Sequence, residues 1–288
     1  MSRIEVLKTY KIYIGGSFPR TESGRYYPLK SSRGETIANL CLSSRKDVRN
    51  AVVAARKAFG TWSEKTAFNR GQILYRIAEI LEGRKGQFLE ELIKQGIGRK
   101  AAEKEVQASI DCLVYYAGWA DKYVAVASSV NPVSSNHFNF STLEPMGVVG
   151  IIAPQESSLL GLVSMLIPAL CGGNTAIVLA SENLPLCAVT FAEVLHASDV
   201  PGGVVNLLTG SIHETAPVLA AHMDVNALVS EDLGELGKSL SVACVDNLKR
   251  YIQYSSGITQ GLQEIIELQE VKTTWHPIEK IGGATSSY

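Results

Sequence analysis

The chain has 288 residues, 46% of them hydrophobic and 19% charged, and a formal net charge of -1. That is enough chain for one large domain or a domain with an appendage, and the composition suits a soluble α/β protein. The charge balance gives no pull towards nucleic acid or anionic lipid, no run reaches the length of a membrane span, and Met1-Ser2-Arg3-Ile4-Glu5 lacks an apolar signal core. A cytoplasmic protein with no membrane or nucleic-acid partner is therefore expected. Five scattered cysteines without a CxxC pair argue against a disulfide framework and a zinc cage, and five dispersed histidines offer no metal site.

Residues 10–18 alternate apolar and polar side chains around Gly15-Gly16, which predicts a hairpin arm near Tyr26-Tyr27. Asp47 then opens a helical pattern carrying Val48, Val52, Val53, Ala55 and Phe59 at helical spacing. A second helix is expected from Asn69 to Gln95, and a third from Ala101 to Val124 with Ile110, Val114, Tyr115 and Trp119 facing inward. Residues 131–136 break the pattern with turn formers, and His137 to Leu143 alternates as an exposed or pairing strand.

After Pro145 the pattern changes. Met146 to Ala153 is a short continuous apolar run, the signature of a strand buried on both faces. Thr175–Leu179, Val204–Leu208, Ala227–Val229 and Tyr251–Tyr254 repeat it, with helices expected over Leu159–Leu170, Pro185–His196 and His213–Ala221. Strands alternating with helices predict right-handed crossovers and a five-stranded parallel, doubly wound α/β sheet. Such sheets bind ligands beyond the C-terminal ends of their strands, so the loops after Ala153, Leu179, Leu208 and Val229 are the ones to inspect.

Several segments, in order along nearly the whole chain, resemble the aldehyde dehydrogenase family. They are Tyr115-Tyr116-Ala117-Gly118-Trp119-Ala120-Asp121-Lys122, Glu144-Pro145-Met146-Gly147-Val148-Val149-Gly150, Gly173-Asn174-Thr175, Pro201-Gly202-Gly203-Val204-Val205-Asn206 with Thr209-Gly210, Asn247-Leu248-Lys249-Arg250, and Lys272-Thr273-Thr274-Trp275. The resemblance implies a Rossmann-like NAD-binding domain with an N-terminal helical section over residues 1–130 and 145–257. It implies an oligomerisation ribbon and tail over 131–144 and 262–288. The family's catalytic domain belongs between Gly257 and the tail, and that stretch has no room for one. The layout resembles the truncated second module of the two-module, family-16 type, and the chain is expected to be either a separately encoded module or a fragment of a longer one.

The functional positions implied by the resemblance depart from the family pattern. Pro154 is kept, but Glu156 stands where the family has an oxyanion-hole Asn, and a carboxylate there opposes a developing oxyanion. The Lys that holds the adenosine ribose becomes Leu179 while its companion Glu182 remains. The pyrophosphate turn aligns with Asp232-Leu233-Gly234-Glu235-Leu236-Gly237, where Glu231, Asp232 and Glu235 crowd a place meant for phosphate. The general-base Glu aligns with Tyr254, and the nucleophilic Cys has no counterpart, so no thiohemiacetal can form. Catalytic residues are thus expected to be absent, and the vestigial cofactor positions are Pro154, Glu182, Gly203, Gly210 and Gly237.

Simpler readings stand beside these. Cys171, Cys187 and Cys244 read as small buried hydrophobes, Glu182 as a solvated loop acid, and His213 and His222 as surface histidines. Arg45, Lys46, Arg49, Arg56 and Lys57 read as a solvated helix face. The leading expectation is a non-catalytic subunit without a bound cofactor. It would assemble through its ribbon with itself or with a full-length aldehyde dehydrogenase, as scaffold or regulator. The alternatives are an NAD(P)-binding module and an oxidoreductase active only in complex with a catalytic partner.

Overall fold

The computed structural model describes residues 9–31, 33–254 and 260–278. The expected segments that include residues 1–8, 255–257 and 279–288 extend outside the described residues. The chain opens with a small sheet of β1 (Thr9–Tyr10), β2 (Tyr26–Lys30) and β3 (Thr36–Cys41) in the order β1-β3-β2. The predicted arm is present: Ile14 and Ser17 bridge across Gly15 (φ 61°) and Gly16 (φ 84°), a two-residue turn that needs left-handed backbone. The β2–β3 hairpin escaped the sequence reading because Pro28 and Asn39 interrupt its alternation.

Four longer helices and one short one follow: α1 (Arg45–Ser63), α2 (Ala67–Gly83), α3 (Lys85–Lys94), α4 (Arg99–Trp119) and α5 (Tyr123–Ala127). α1 starts at Ser44, which forms a capping box with Asp47. The helix expected over Asn69–Gln95 is two helices, broken at Arg84 (φ −104°, ψ 10°) between Gly83 and Gly86. The one expected over Ala101–Val124 ends at Trp119, and Val114 points outward (43% exposed) rather than inward.

Next come β4 (Ser129–Asn131) and β5 (His137–Pro145), then β6 (Val148–Ile152), α6 (Leu160–Cys171), β7 (Thr175–Leu179), α7 (Leu186–His196), β8 (Val205–Leu208), α8 (Ile212–Ala221), β9 (Ala227–Glu231), α9 (Glu235–Val245) and β10 (Arg250–Tyr254). β6 to β10 form a five-stranded parallel sheet in the order β10-β9-β6-β7-β8. Side chains alternate between its two faces. Val149, Ile151, Val178 and Leu207 join the core under α2, α4, α6 and α7, while Val148, Ile152, Ile177 and Leu228 join the core under α1 and α8. Gly150 lies on the second face, where a Cβ would come within 2.7 Å of Leu219, so only glycine lets α8 pack this close.

The short helix α10 (Gln263–Ile266) leads into β11 (Gln269–Pro277). β11 pairs antiparallel with β5 over its whole length, from Gln269↔Pro145 to Pro277↔His137. β4 pairs on the other side of β5, so the expected two-strand ribbon is a three-stranded sheet in the order β11-β5-β4. Ser129, Asn131, Asn139, Ser141 and Thr273 hydrogen-bond in series along one face.

One buried side chain joins ribbon to sheet. Asn174 accepts from Gly147 N–H (2.9 Å) at the β5–β6 turn and donates to Leu268 C=O (3.0 Å) just before β11. Gln269 Nε2 donates to Gly172 C=O (3.2 Å), and Arg250 Nη1 donates to the Glu267 and Gln269 carbonyls (2.5 and 2.9 Å). Leu268 C=O also accepts from Gln269 Nε2 (3.0 Å), so Asn174→Ala leaves the buried Gly147 N–H without its partner and should lower stability by about 1–3 kcal/mol. A urea titration followed by far-UV circular dichroism checks it.

Candidate functional site

The strand order identifies the crevice. From β6 the chain moves to β7 and β8 on one side, then returns to place β9 and β10 on the other. The switch point therefore lies between β6 and β9, and ligands of open α/β sheets bind beyond the strand ends at that point. Its walls are the loop after Ile152, with Pro154, Gln155 and Glu156, and the turn after Glu231, with Asp232, Gly234 and Gly237. A cleft of about 570 Å³ is lined by Asp232, Gly234, Gly237, Lys238, Ser241 and Gln253.

Four of the five vestigial cofactor positions gather near this end of the sheet. Pro154 is buried, and a Cβ on Gly161 would come within 2.7 Å of its ring. Glu182 follows β7, Gly210 follows β8, and Gly237 begins α9, where a Cβ would meet Gln253 Nε2 at 2.8 Å. Gly210 (φ 130°) abuts Ser43 N, 2.8 Å from where a Cβ would sit, so it also serves the packing of the β3–α1 loop. Gly203 is not with them. It precedes β8 at the opposite end of the sheet, with φ 94° and an ideal Cβ position 2.7 Å from Ala54 C=O, a site of close packing against α1.

The structure fills the positive ends of two helices at this edge with the chain's own carboxylates. Glu105, reaching from α4, accepts from the backbone N–H groups of Ser158 (3.1 Å), Leu159 (2.9 Å) and Leu160 (3.2 Å) and from Ser157 Oγ (2.8 Å) at the start of α6. Glu182 accepts from Ile212 N–H at the start of α8. A carboxylate at such a place is favoured by the helix dipole and by otherwise orphaned N–H donors. Glu182 is thus a helix-capping acid in this structure rather than a free loop acid. Gln155, where the resemblance places a Trp, accepts from Glu182 N–H (2.9 Å), and its carbonyl accepts from Ser181 Oγ (3.0 Å), so the loops after β6 and β7 are tied together. Glu105 gave no signal in the sequence, because its partners lie some fifty positions away.

Further acids stand in the loop after β6 and around the end of β9. Glu156 is exposed, and Asp232 accepts from Gly234 N–H (2.9 Å). Burial, and secondarily the nearby Glu156 carboxylate, raise the pKa of Glu231 above the ordinary glutamate value. Lys238, the one basic residue among the described residues lining this cleft, pairs with Glu235 (2.6 Å). No thiolate faces this chemistry. All five cysteines are buried, and desolvation pushes the thiols of Cys112 and Cys171 up to about 12 and raises those of Cys187 and Cys244. The expected reading of Cys171, Cys187 and Cys244 as buried hydrophobes matches that burial. Tyr254, in the position of the family's general base, donates to Glu267 (3.2 Å), and desolvation raises its phenol pKa. No group of three or more potential metal ligands occurs among the described residues.

The residues given simpler readings fall as follows. His213 is exposed and His222 half-buried, its pKa lowered by desolvation. Arg45, Lys46, Arg49 and Lys57 are exposed, whereas Arg56 is half-buried and donates to Asp224 C=O (2.5 Å) and Asn226 Oδ1 (2.6 Å). Among the described residues no helix is long and apolar enough to cross a membrane.

Two measurements follow from the acids. Glu182→Ala uncaps α8 and should cost about 0.5–2 kcal/mol in a urea titration. Because the folded-state pKa of Glu231 is raised, the stability linked to its neutral form is present below its unfolded value near 4.5 and is lost as pH rises through the folded value. Glu231→Gln should therefore be more stable than wild type at pH 7, by no more than about 1 kcal/mol for a partly solvated group, and indistinguishable near pH 4.

Comparison with known proteins agrees with this architecture. Residues 20–257 match the model of the aldehyde dehydrogenase family. The chain is 31% identical over 257 residues to cytosolic 10-formyltetrahydrofolate dehydrogenase of Mus musculus, which covers 87% of the chain and 28% of the relative. It is 33% identical over 252 residues to retinal dehydrogenase 2 of Gallus gallus, covering 85% of the chain and 48% of that protein. The structure of an aldehyde dehydrogenase from Bacillus cereus in complex with NAD+ superimposes with a TM-score of 0.82 at 25% identity, over 87% of this chain and 51% of that one. The chain spans about half or less of the length of these proteins and belongs to the aldehyde dehydrogenase family.

Proposed function

We propose that this chain is a non-catalytic aldehyde dehydrogenase-like subunit. It acts as a scaffold or regulator by assembling through its ribbon with itself or with a full-length aldehyde dehydrogenase. The observation that carries the reading is the join between β10 and β11. β10 reaches Tyr254, the ribbon strand begins at Gln269, and the described residues 260–268 lead into it packed against the body of the domain. The ribbon is retained while the space that would house a nucleophile is reduced to a linker.

The ribbon's own chemistry supports assembly. β11 is an edge strand paired on one side only, and an unpaired edge is a template for another chain. On one of its faces, Val271 (66% exposed) and Trp275 (56% exposed) stand four residues apart, and on the other Phe138 is 45% exposed. Together they present apolar surface on a thin sheet that has little core of its own. Cytoplasmic residence fits five buried free thiols and the mouse relative described as cytosolic. The crowding of acids at the crevice and the capping role of Glu182 favour a subunit that works without NAD.

The double variant Val271→Glu, Trp275→Glu should turn an assembled species into a monomer while changing stability by less than about 1 kcal/mol, since both side chains are exposed. Sedimentation velocity at micromolar concentration reads the first and a urea titration the second. Wild-type protein that sediments as a monomer, alone and with an aldehyde dehydrogenase, would refute the reading. So would aldehyde-dependent NADH formation by the purified chain that is lost in a Cys→Ala variant.

A further inference from the structure

The linker that joins sheet to ribbon is docked, and one buried acid in it is unexplained by any role given above. Ile265 and Leu268 are fully buried in the main core, with Leu262 and Ile266 packed against it. Glu264, between them, is only 7% exposed, and its Oε2 is buried with no hydrogen-bond partner. A buried carboxylate oxygen without a donor is costly when charged and cheap when it carries the proton itself.

Among the described residues, the surroundings of Glu264 offer it no cation. From its own segment comes Glu267, whose carboxylate already accepts from Tyr254 of β10 and from Gln263. From α4 come the Cys112 thiol and the Tyr116 phenol, both within electrostatic range of Glu264, and Tyr116 Oη accepts from Gly261 N–H (3.4 Å). α5 and α6 also pack on α10, and their only titratable side chains are Tyr123 and Cys171. Arg250 approaches from β10 but spends its Nη1 on the Glu267 and Gln269 carbonyls and its Nη2 on Glu270. Desolvation, the largest influence, and the Glu267 charge push Glu264 towards the neutral form, against the backbone N–H groups of Glu264 and Gly261, which favour the carboxylate.

We propose that the linker is a proton-dependent latch: with a neutral Glu264 carboxyl, residues 261–268 lie docked between sheet and ribbon, and loss of that proton to solvent releases them. The latch controls the stiffness of the joint that carries β11, and it holds whether or not the ribbon has a partner. The sign is fixed by the burial. Docking is tightest below the ordinary glutamate value near 4.5 and weakens as pH rises through the folded-state value, above which it levels off.

Hydrogen exchange of the full chain tests this, read at the amides of Ile266, Glu267 and Leu268, which donate to Leu262, Gln263 and Ile265. Protection factors divide out the pH dependence of intrinsic exchange, and the amide of Ile177 in the central sheet serves as the control for global unfolding. In wild type the linker's protection should fall by up to about tenfold per pH unit across the titration while Ile177 is unchanged. Glu264→Gln, neutral and nearly isosteric, should keep the low-pH protection at every pH. Glu264→Ala provides a second flat profile, at a lower level, should the glutamine pack poorly. A wild-type profile without pH dependence would overturn the proposal, and so would the wild-type slope persisting in both variants.

Discussion

Asn174 holds the architecture at its most consequential point. Its side chain, fully buried, bonds the turn where the ribbon enters the sheet and the residue where the linker re-enters the ribbon. An amide can do this because it accepts and donates at once; no aliphatic residue could satisfy both backbone groups. Arg250 of β10 adds bonds to the Glu267 and Gln269 carbonyls, which fix the start of β11 beside the sheet. Among the described residues, the last strand of the doubly wound sheet is followed by α10 and the ribbon strand, with no second sheet between them.

The crevice at the switch point follows from the same sheet but has a different electrostatic character from a phosphate site. Open α/β folds attract anions with uncovered helix ends. Here Glu105 and Glu182 already occupy the starts of α6 and α8, Asp232 lines the cleft, and Glu156 and Glu231 lie in the loop after β6 and at the end of β9. The N-terminal donors of these two helices thus have carboxylate partners within the chain. This arrangement explains how a nucleotide-binding type of domain can persist with altered ligand positions. Capping needs only a carboxylate in reach, whereas cofactor binding needs donors left open.

The five-stranded sheet was legible in the sequence because buried parallel strands leave continuous apolar runs, and Val148–Ile152 and Thr175–Leu179 are such runs. β5 was legible as an alternating segment and β11 through the resemblance, which also paired the two. The short strands were not: β2 carries a proline, and β4 is only three residues in a turn-rich stretch. The helix break at Arg84 rests on two flanking glycines that periodicity overrides. At the crevice, the sequence located Pro154, Glu182, Gly210 and Gly237 near one sheet edge but misplaced Gly203, because PGGVVN reads as a strand approach without saying which end of the sheet it faces. Glu105 and the buried Glu264 were invisible, since both act across long sequence separations.

The central claim, that the chain assembles and does not itself catalyse, is tested most directly by co-expression. The tagged chain is produced beside a full-length aldehyde dehydrogenase from the same genome, and the purified material is assayed for native mass and turnover. The account predicts stable co-elution with altered turnover of the partner, or a self-associated species with none. A lone monomer that ignores the enzyme would contradict it.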